Sequence, residues 1–121
     1  MLNIVVVDDD ITNVQLLQML LELDGFKVNA CTNIPEAISL TTPHTFAFVI
    51  DWHLERNASG SDLLHAIRQG KTPASRDTAV IISSGDHRRE QEALAAGANH
   101  FLLKPYPPDE LSKLLASLLT S

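Results

Sequence analysis

Cysteine is nearly absent from this sequence, and long apolar runs are missing altogether. The single cysteine, Cys31, excludes an internal disulfide and any cysteine-rich zinc site. We interpret it as a small core residue at the end of a strand. No apolar stretch approaches the ~20 residues that are needed to cross a bilayer, and no signal peptide follows Met1. We therefore expect a cytoplasmic protein with no membrane partner.

Positive charge is also scarce. Only 9 Lys and Arg stand against 15 Asp and Glu, which gives a net charge of −6. Because nucleic-acid phosphates are bound by clustered Lys and Arg, we expect no direct nucleic-acid partner. A chain of 121 residues has room for one domain, and its hydrophobic content of 45% is enough for a compact core.

Five short apolar runs alternate with amphipathic segments along the chain. Most of the runs lack polar alternation, which is typical of strands that are covered on both faces, as in a parallel sheet. They are Ile4–Val7, Phe26–Ala30, Phe46–Ile50, Val80–Ile82 and Phe101–Leu103.

A helical segment follows each run. The expected helix starts are Ile11, Asn33 as a cap, Ser61 or Asp62, Asp86, and Pro108, and the expected stops are Gly25, Gly70 and Gly97. Five β–α units joined by right-handed crossovers predict an α/β fold, a doubly wound three-layer sandwich around a parallel sheet.

Polar side chains follow four of the five predicted strands. In chain order they are Asp8-Asp9-Asp10, Asp51, Ser83-Ser84 and Lys104. Ligands of doubly wound folds bind at the carboxyl ends of the strands, where the strand order reverses. We therefore expect three carboxylates, a hydroxyl and an ammonium to converge at one edge of the sheet.

Such a carboxylate cluster needs a neutralising partner. Two like charges ~4 Å apart repel by about 4 kcal/mol at an effective dielectric of 20, a large part of the ~5–15 kcal/mol stability of a domain. Carboxylate oxygens without cysteine or converging histidine ligands favour a hard cation, Mg²⁺ or alternatively Mn²⁺. Because Mg²⁺ commonly shares its coordination with a phosphate, composition and position predict a site that handles phosphoryl groups.

Four segments resemble one known family. They are VVVDDD, FAFVID ending at Asp51, DTAVIISSGD around Ser84, and AGANHFLLKPY around Lys104. Over essentially its whole length the chain resembles the receiver domain of two-component response regulators, the chemotaxis-regulator fold. The resemblance implies a flavodoxin-like fold with strand order 2-1-3-4-5, and residues 1–121 as a single receiver domain with no output domain in this chain.

The resemblance also implies a function in phosphorelay signalling. A sensor histidine kinase or phosphotransfer protein would pass a phosphoryl group to the chain in a Mg²⁺-dependent reaction. The chain would not be an enzyme beyond its own phosphorylation and dephosphorylation. The surface of helix four, strand five and helix five would then change and control an unknown output domain or protein, and a homodimer could form through the same surface.

Individual roles follow from the matching positions. Asp51 would be the phosphoacceptor, and Asp8, Asp9, Asp51 and the backbone carbonyl of His53 would bind the metal. The phosphoryl-binding and switch residues would be Ser84, with Ser83 as the backup, Lys104 and Phe101. The Lys104–Pro105 peptide would be cis.

Three departures from the family pattern lie after Asp51 and before helix four. Glu55 stands where the family usually has proline. Gly60 falls nine residues after Asp51 rather than eight, and the entry to helix four is about two residues shorter than in the chemotaxis regulator. The ligand set is intact despite these changes.

Two other interpretations are open at this point. The DDDIT segment also fits the nucleophile motif of haloacid-dehalogenase-type phosphohydrolases, with Asp8 as nucleophile and Asp10 as acid/base. That scheme leaves Asp51 without a role and lacks the later acidic metal motif, so we expect Asp10 to start a helix instead. The second alternative is a receiver-like interaction module that is never phosphorylated.

Overall fold

In the computed structural model, which describes residues 2–54 and 58–119, five strands alternate with five α-helices. The strands are β1 (Asn3–Val7), β2 (Lys27–Cys31), β3 (Thr45–Asp51), β4 (Ala79–Ser84) and β5 (His100–Leu103). The helices are α1 (Ile11–Leu23), α2 (Ile34–Leu40), α3 (Gly60–Arg68), α4 (Glu90–Ala95) and α5 (Pro108–Ser117), with a short 3₁₀ helix, η1 (His87–Arg89), before α4.

The strands form one parallel sheet in the order β2-β1-β3-β4-β5. The chain runs outward from β1 to β2 and then returns to the other side of β1 at β3, so the strand order reverses beside β1. The predicted α/β class, strand order and flavodoxin-like architecture are confirmed. This reversal places the ends of β1 and β3 next to each other.

Both faces of the three central strands, β1, β3 and β4, are buried, which explains their unbroken apolar runs. One face packs on α2, α3 and α4 and includes Val5, Val7, Phe48, Ile50, Val80 and Ile82. The other packs on α1 and α5 and includes Ile4, Val6, Ala47, Val49 and Ile81. Each fully buried Ile or Val contributes about 1.5–3 kcal/mol from removal of its apolar surface from water, so the strands that carry the site are held firmly.

Side-chain caps account for where the helices begin. Asp10 caps α1 by accepting from the backbone N–H groups of Thr12, at 3.0 Å, and Asn13, at 3.3 Å. Asn33 caps α2, as predicted, by accepting from the backbone N–H of Glu36 at 2.9 Å. Asp86 caps η1, so the predicted fourth helix begins as a 3₁₀ turn and becomes an α-helix at Glu90.

The predicted start of α3 at Ser61 or Asp62 was wrong. The helix begins at Gly60, and the cap is Ser59. The Asp62 carboxylate instead accepts from the backbone N–H of Ser59 at 3.2 Å, while the Ser59 hydroxyl accepts from the backbone N–H of Ser61 at 3.2 Å. This reciprocal capping arrangement moves the first helical residue ahead of the expected one.

Helix ends agree with the expected glycine stops. Gly25, Gly70 and Gly97 follow α1, α3 and α4 and have φ angles of 94°, 74° and 111°, which side-chain-bearing residues rarely adopt. None of the helices within residues 2–54 and 58–119 has the length and apolar character that a bilayer crossing requires.

Candidate functional site

Three consecutive aspartates follow β1. Asp8 and Asp9 lie at the edge of the sheet, and Asp10 lies at the start of α1. Asp8 is 3% exposed, whereas Asp9 is half-buried. One Asp8 oxygen, Oδ1, accepts from the backbone N–H of Asp10 at 3.0 Å, which fixes the turn into α1. Asp10 itself is exposed, and its carboxylate is used as the α1 cap. The three consecutive aspartates therefore have different environments.

The last residue of β3 is Asp51, which is 8% exposed. Its Oδ1 lies 3.5 Å from the backbone N–H donor of His53. A Cβ atom at Gly60 would lie 2.4 Å from the Asp51 carbonyl oxygen, so the start of α3 can approach this strand end only because residue 60 is glycine. Asp51 is thus held by its own strand on one side and by α3 on the other.

Lys104 joins the two buried carboxylates. It follows β5, and its backbone N–H donates to the Ser84 carbonyl at 2.8 Å. Its Nζ lies 3.2 Å from Asp8 Oδ2 and 3.4 Å from Asp51 Oδ2, which are ion-pair distances. The Lys104–Pro105 peptide is cis, as the family resemblance implies.

Burial and neighbouring charge oppose each other at Asp51. Removal from water raises the pKa of the Asp51 carboxyl above its usual value, because the charged form loses its hydration. Lys104 lowers that pKa, Asp8 raises it again, and the His53 N–H lowers it. The net direction is upward, because the loss of hydration on burial outweighs the positive charge of Lys104.

Within the described residues, Asp8, Asp9 and Asp51 each offer a carboxylate oxygen, and these oxygens all lie within 4.8 Å of one another. Oxygens on opposite sides of an octahedral Mg²⁺ are about 4 Å apart, given Mg–O distances of 2.0–2.1 Å. The oxygen-only donor set suits a hard divalent cation, and the three oxygens lie within a distance close to the span that such an ion bridges. The cluster can hold a metal ion.

The end of β4 contributes hydroxyls. Ser84 is fully buried, and its Oγ accepts from the backbone N–H of Asp86 at 3.0 Å, leaving the hydroxyl proton available for donation. Ser83 is 3% exposed and pairs in register with Asp51, whereas Ser84 lies on the opposite face of the sheet. Phe101 is half-buried and packs on the core shared with α3 and α4.

An open cleft lies next to the end of β3. Trp52, His53, Ser59, Arg89 and Glu92 are among the residues that line it. His53 is exposed, and Trp52 is buried with its backbone N–H bonded to the Ser83 carbonyl at 2.8 Å. Glu55, where the sequence departs from the family pattern, lies outside the described residues.

Two contacts at the site were not found from the sequence. Asn13 donates a hydrogen bond from Nδ2 to Asp8 Oδ2, and Gly60 packs directly on the Asp51 backbone. The spacing of Asn13, in the first turn of α1 and five residues after Asp8, could have suggested the first contact. The second depends on the angle at which α3 meets β3, for which the sequence contains no local signal.

Comparison with known proteins gives consistent matches. A family model described as the response regulator receiver domain matches residues 4–116. The transcriptional regulatory protein CitT of Bacillus subtilis is 30% identical over 117 residues, which cover 95% of this chain and 51% of that protein. The chain spans about half the length of the curated relatives it matches.

Solved structures match over nearly the whole chain. The receiver domain of the Francisella response regulator 1452 has a TM-score of 0.86 and 28% identity, with 99% of this chain and 98% of that chain covered. The response regulator TrrA of Thermotoga maritima, solved in complex with Mg²⁺ and BeF, has a TM-score of 0.82 and 23% identity, with 98% and 99% covered. At 23% identity, the similarity to TrrA shows a shared fold.

Proposed function

This chain belongs to the response regulator receiver domain family, and on that premise we propose that Asp51 receives a phosphoryl group from a phosphohistidine of a partner kinase or phosphotransfer protein. The observation that carries the proposal is the arrangement around Asp51. Its carboxylate is buried beside Asp8 and Asp9, and Lys104 Nζ lies 3.4 Å from its Oδ2. A nucleophile, a candidate cation site and an ammonium are thus together at one strand end.

We propose that the metal is Mg²⁺, with Mn²⁺ as a substitute. Asp8, Asp9, Asp51 and the backbone carbonyl of His53 would hold it, and when bound it would neutralise the charge of the carboxylates and of the incoming phosphoryl group. The fit of the three carboxylate oxygens supports this choice. The crystal structure of TrrA, a protein with the same fold, was determined in complex with Mg²⁺ and BeF.

The chain's own residues would position the reacting groups. An Asp51 carboxylate oxygen attacks phosphorus, a P–O bond forms, and the P–N bond of the phosphohistidine breaks with its electron pair on the imidazole nitrogen. Lys104 is close enough to Asp51 to pair with a phosphoryl oxygen of the product. Phosphoryl transfer depends chiefly on positioning and charge stabilisation, which these groups supply.

The same site would switch the surface formed by α4, β5 and α5. An added phosphoryl brings about −1.5 to −2 of charge, by analogy with phosphoserine. Ser84 and Lys104 would move toward it, and Phe101 would follow. Ile82 and Phe101 are register partners, so Ser84, two residues after Ile82, lies on the same face of the sheet as Phe101. This shared face supports Ser84 rather than Ser83 as the switch residue.

The partners we propose follow from these roles. A kinase or phosphotransfer protein in the cytoplasm would supply the phosphoryl group, and an output domain or protein would read the switched surface, where Leu94 and Leu103 are exposed. With a net charge of −6, this chain would reach DNA only through such an output. Its chemistry would be limited to phosphorylation and dephosphorylation of itself.

Incubation with a small acyl phosphate and Mg²⁺, followed by intact-mass measurement, tests the proposal. We expect a gain of one phosphoryl group that requires Mg²⁺, is lost in Asp51→Asn and is retained in Asp10→Asn, because Asn also caps helices well. Loss of the label in Asp10→Asn with its retention in Asp51→Asn would favour the phosphohydrolase alternative. No labelling of the wild-type chain by any donor would overturn the proposal in favour of an unphosphorylated module.

A further inference from the structure

We propose that Asn13 is a positioning residue of the metal site, acting through Asp8, and this inference rests on the function proposed above. Asn13 is half-buried in the first turn of α1. Its Nδ2 donates to Asp8 Oδ2 across the turn between β1 and α1. The same helix is anchored by the Asp10 cap, so the amide is presented to Asp8 from a rigid element.

The hydrogen bonds of Asp8 explain why this donor matters. The Asp8 side chain is 4% exposed, so its oxygens depend on protein donors rather than on water. Oδ1 accepts from the Asp10 N–H at 3.0 Å. Oδ2 accepts from two side chains, Asn13 and Lys104. Among the residues that the structure describes, Asn13 and the Asp10 N–H are therefore the neutral donors that orient this carboxylate.

Lys104 cannot perform the same task throughout the reaction. Its ammonium is shared between Asp8, at 3.2 Å, and Asp51, at 3.4 Å, and in the proposed mechanism it turns toward the phosphoryl group. As a cation it also opposes a divalent ion that binds next to it. A neutral amide has neither property, so Asn13 can keep Asp8 oriented while Lys104 moves and a metal is bound.

The expected consequence is a specific loss of metal affinity. Removal of a residue that hydrogen-bonds to a metal ligand typically lowers the metal affinity by about 10–100-fold. Without the Asn13 amide, Lys104 is the one donor to Asp8 Oδ2 that remains within the described part of the chain, and the carboxylate can rotate toward that ammonium. We expect Asn13→Ala to weaken Mg²⁺ binding by about 10-fold, while the phosphorylation rate at saturating Mg²⁺ stays within about 2-fold of wild type.

The experiment is a Mg²⁺ titration of the 121-residue chain. The single tryptophan, Trp52, adjoins Asp51 and reports binding by its fluorescence, and acyl-phosphate labelling at low and saturating Mg²⁺ gives the rates. Gln15→Ala is the matched control, because it removes an exposed amide from the same helix. Asn13→Leu removes the donor but keeps the side-chain volume, and Asn13 already lines a groove with Leu16, Leu17 and Leu20.

The outcomes separate this inference from the proposed function. Weaker binding in both Asn13→Ala and Asn13→Leu, with Gln15→Ala unchanged, supports the role of the amide. Wild-type affinity in Asn13→Leu, with or without a loss in Asn13→Ala, overturns it, because volume would then suffice. If the wild-type chain is labelled by the donor but binds no Mg²⁺, the inference fails while Asp51 remains the acceptor. If the wild-type chain is neither labelled nor binds Mg²⁺, both fail.

Discussion

Single residues around Asp51 are held by close contacts as well as by charge. A Cβ atom at Gly60 would lie 2.4 Å from the Asp51 carbonyl oxygen and 2.9 Å from Ile50 Cγ2, closer than real Cβ atoms approach. The Cys31 thiol is buried at the end of β2 and donates to the Val6 carbonyl at 3.5 Å. The Gly60 contact predicts how a substitution there changes the free energy of unfolding. The burial of Cys31 predicts how that free energy depends on pH.

Gly60→Ala should push α3 away from β3. We expect a loss of about 1–3 kcal/mol in the free energy of unfolding, the usual cost of overpacking, and slower labelling of Asp51. Urea denaturation and intact-mass labelling measure the two effects. Gly85→Ala is the control, because a Cβ atom there meets nothing within 4 Å. Equal effects of both substitutions would mean that the Gly60 contact is not what holds the strand end.

Burial raises the pKa of the Cys31 thiol from 9.0 to about 12. The folded state thus favours the protonated thiol, and its contribution to stability is complete below pH 9.0 and is lost as the pH rises from there toward 12. Tyr106 likewise stabilises the folded state less as the pH rises, because burial and the nearby Asp8 raise its pKa from 10.0 to about 12.

The free energy of unfolding should therefore fall between pH 9 and 11, by up to about 1.4 kcal/mol per pH unit for each group that titrates only when unfolded. Urea denaturation at several pH values measures the slope, and Cys31→Ala should make it shallower. Iodoacetamide should modify Cys31 much more slowly in the native chain than in urea. Equal alkylation rates in both states would contradict a buried thiol.

At the edge of the sheet where β4 and β5 begin, opposite the edge that carries Asp51, the guanidinium of Arg68 joins several elements. Arg68, at the end of α3, donates to three backbone carbonyls and one side-chain amide: Gly97 at 2.9 Å, Arg76 at 2.7 Å, Thr78 at 2.6 Å and Asn99 Oδ1 at 2.9 Å. Burial lowers the pKa of Arg68, an effect that Asp77 opposes. One side chain thus ties α3 to the segments that precede β4 and β5.

Arg68→Ala should destabilise the protein by about 2–3 kcal/mol, because hydrogen bonds to a charged donor are worth about 1.5–3 kcal/mol and several carbonyls lose their partner together. Urea denaturation measures this loss. Arg88→Ala is the control: that arginine side chain is 79% exposed and pairs with Asp86, and we expect little change there because exposed ion pairs contribute little. A smaller effect at Arg68 than at Arg88 would refute the assignment.

On the scale of the whole molecule, net charge and the carboxylate cluster act together. The chain carries a net charge of −6, and three of its carboxylates are brought to one edge of the sheet. Among the described residues near that edge, Lys104 is the cation that pairs with both Asp8 and Asp51. A divalent cation that binds this cluster has no equivalent site in the unfolded chain, so binding and folding are linked.

Mg²⁺ should therefore raise the unfolding temperature. At a free Mg²⁺ concentration 100 times Kd, the expected gain is about 2.7 kcal/mol, which corresponds to a rise of about 10 °C in the unfolding temperature of a chain of this length. Differential scanning calorimetry at increasing MgCl₂ measures it, with NaCl at matched ionic strength as the salt control. Asp9→Asn should remove most of the response, and Asp10→Asn should retain it. An equal response in both variants would mean that the cation acts elsewhere.

Much of the fold follows from the sequence alone. The central parallel strands are buried on both faces, which is why their apolar runs lack polar alternation, and the helix caps Asn33 and Asp86 are local features of a few residues. Asp10 is likewise a helix-start residue that the local sequence predicts. The sequence places the start of α3 one or two residues too late, because a reciprocal cap of Ser59 and Asp62 moves the helix forward.

The residues at the strand ends were determined by the sequence, but their contacts were decided by the tertiary structure. Asp8 and Lys104 are 96 residues apart, and only the order of the strands and the packing of α1 and β5 bring Nζ to Oδ2. The Asn13 amide and the Gly60 contact depend on how α1 and α3 sit against the sheet. Periodicity and capping act within a few residues, whereas these distances depend on packing between segments that are far apart in the chain.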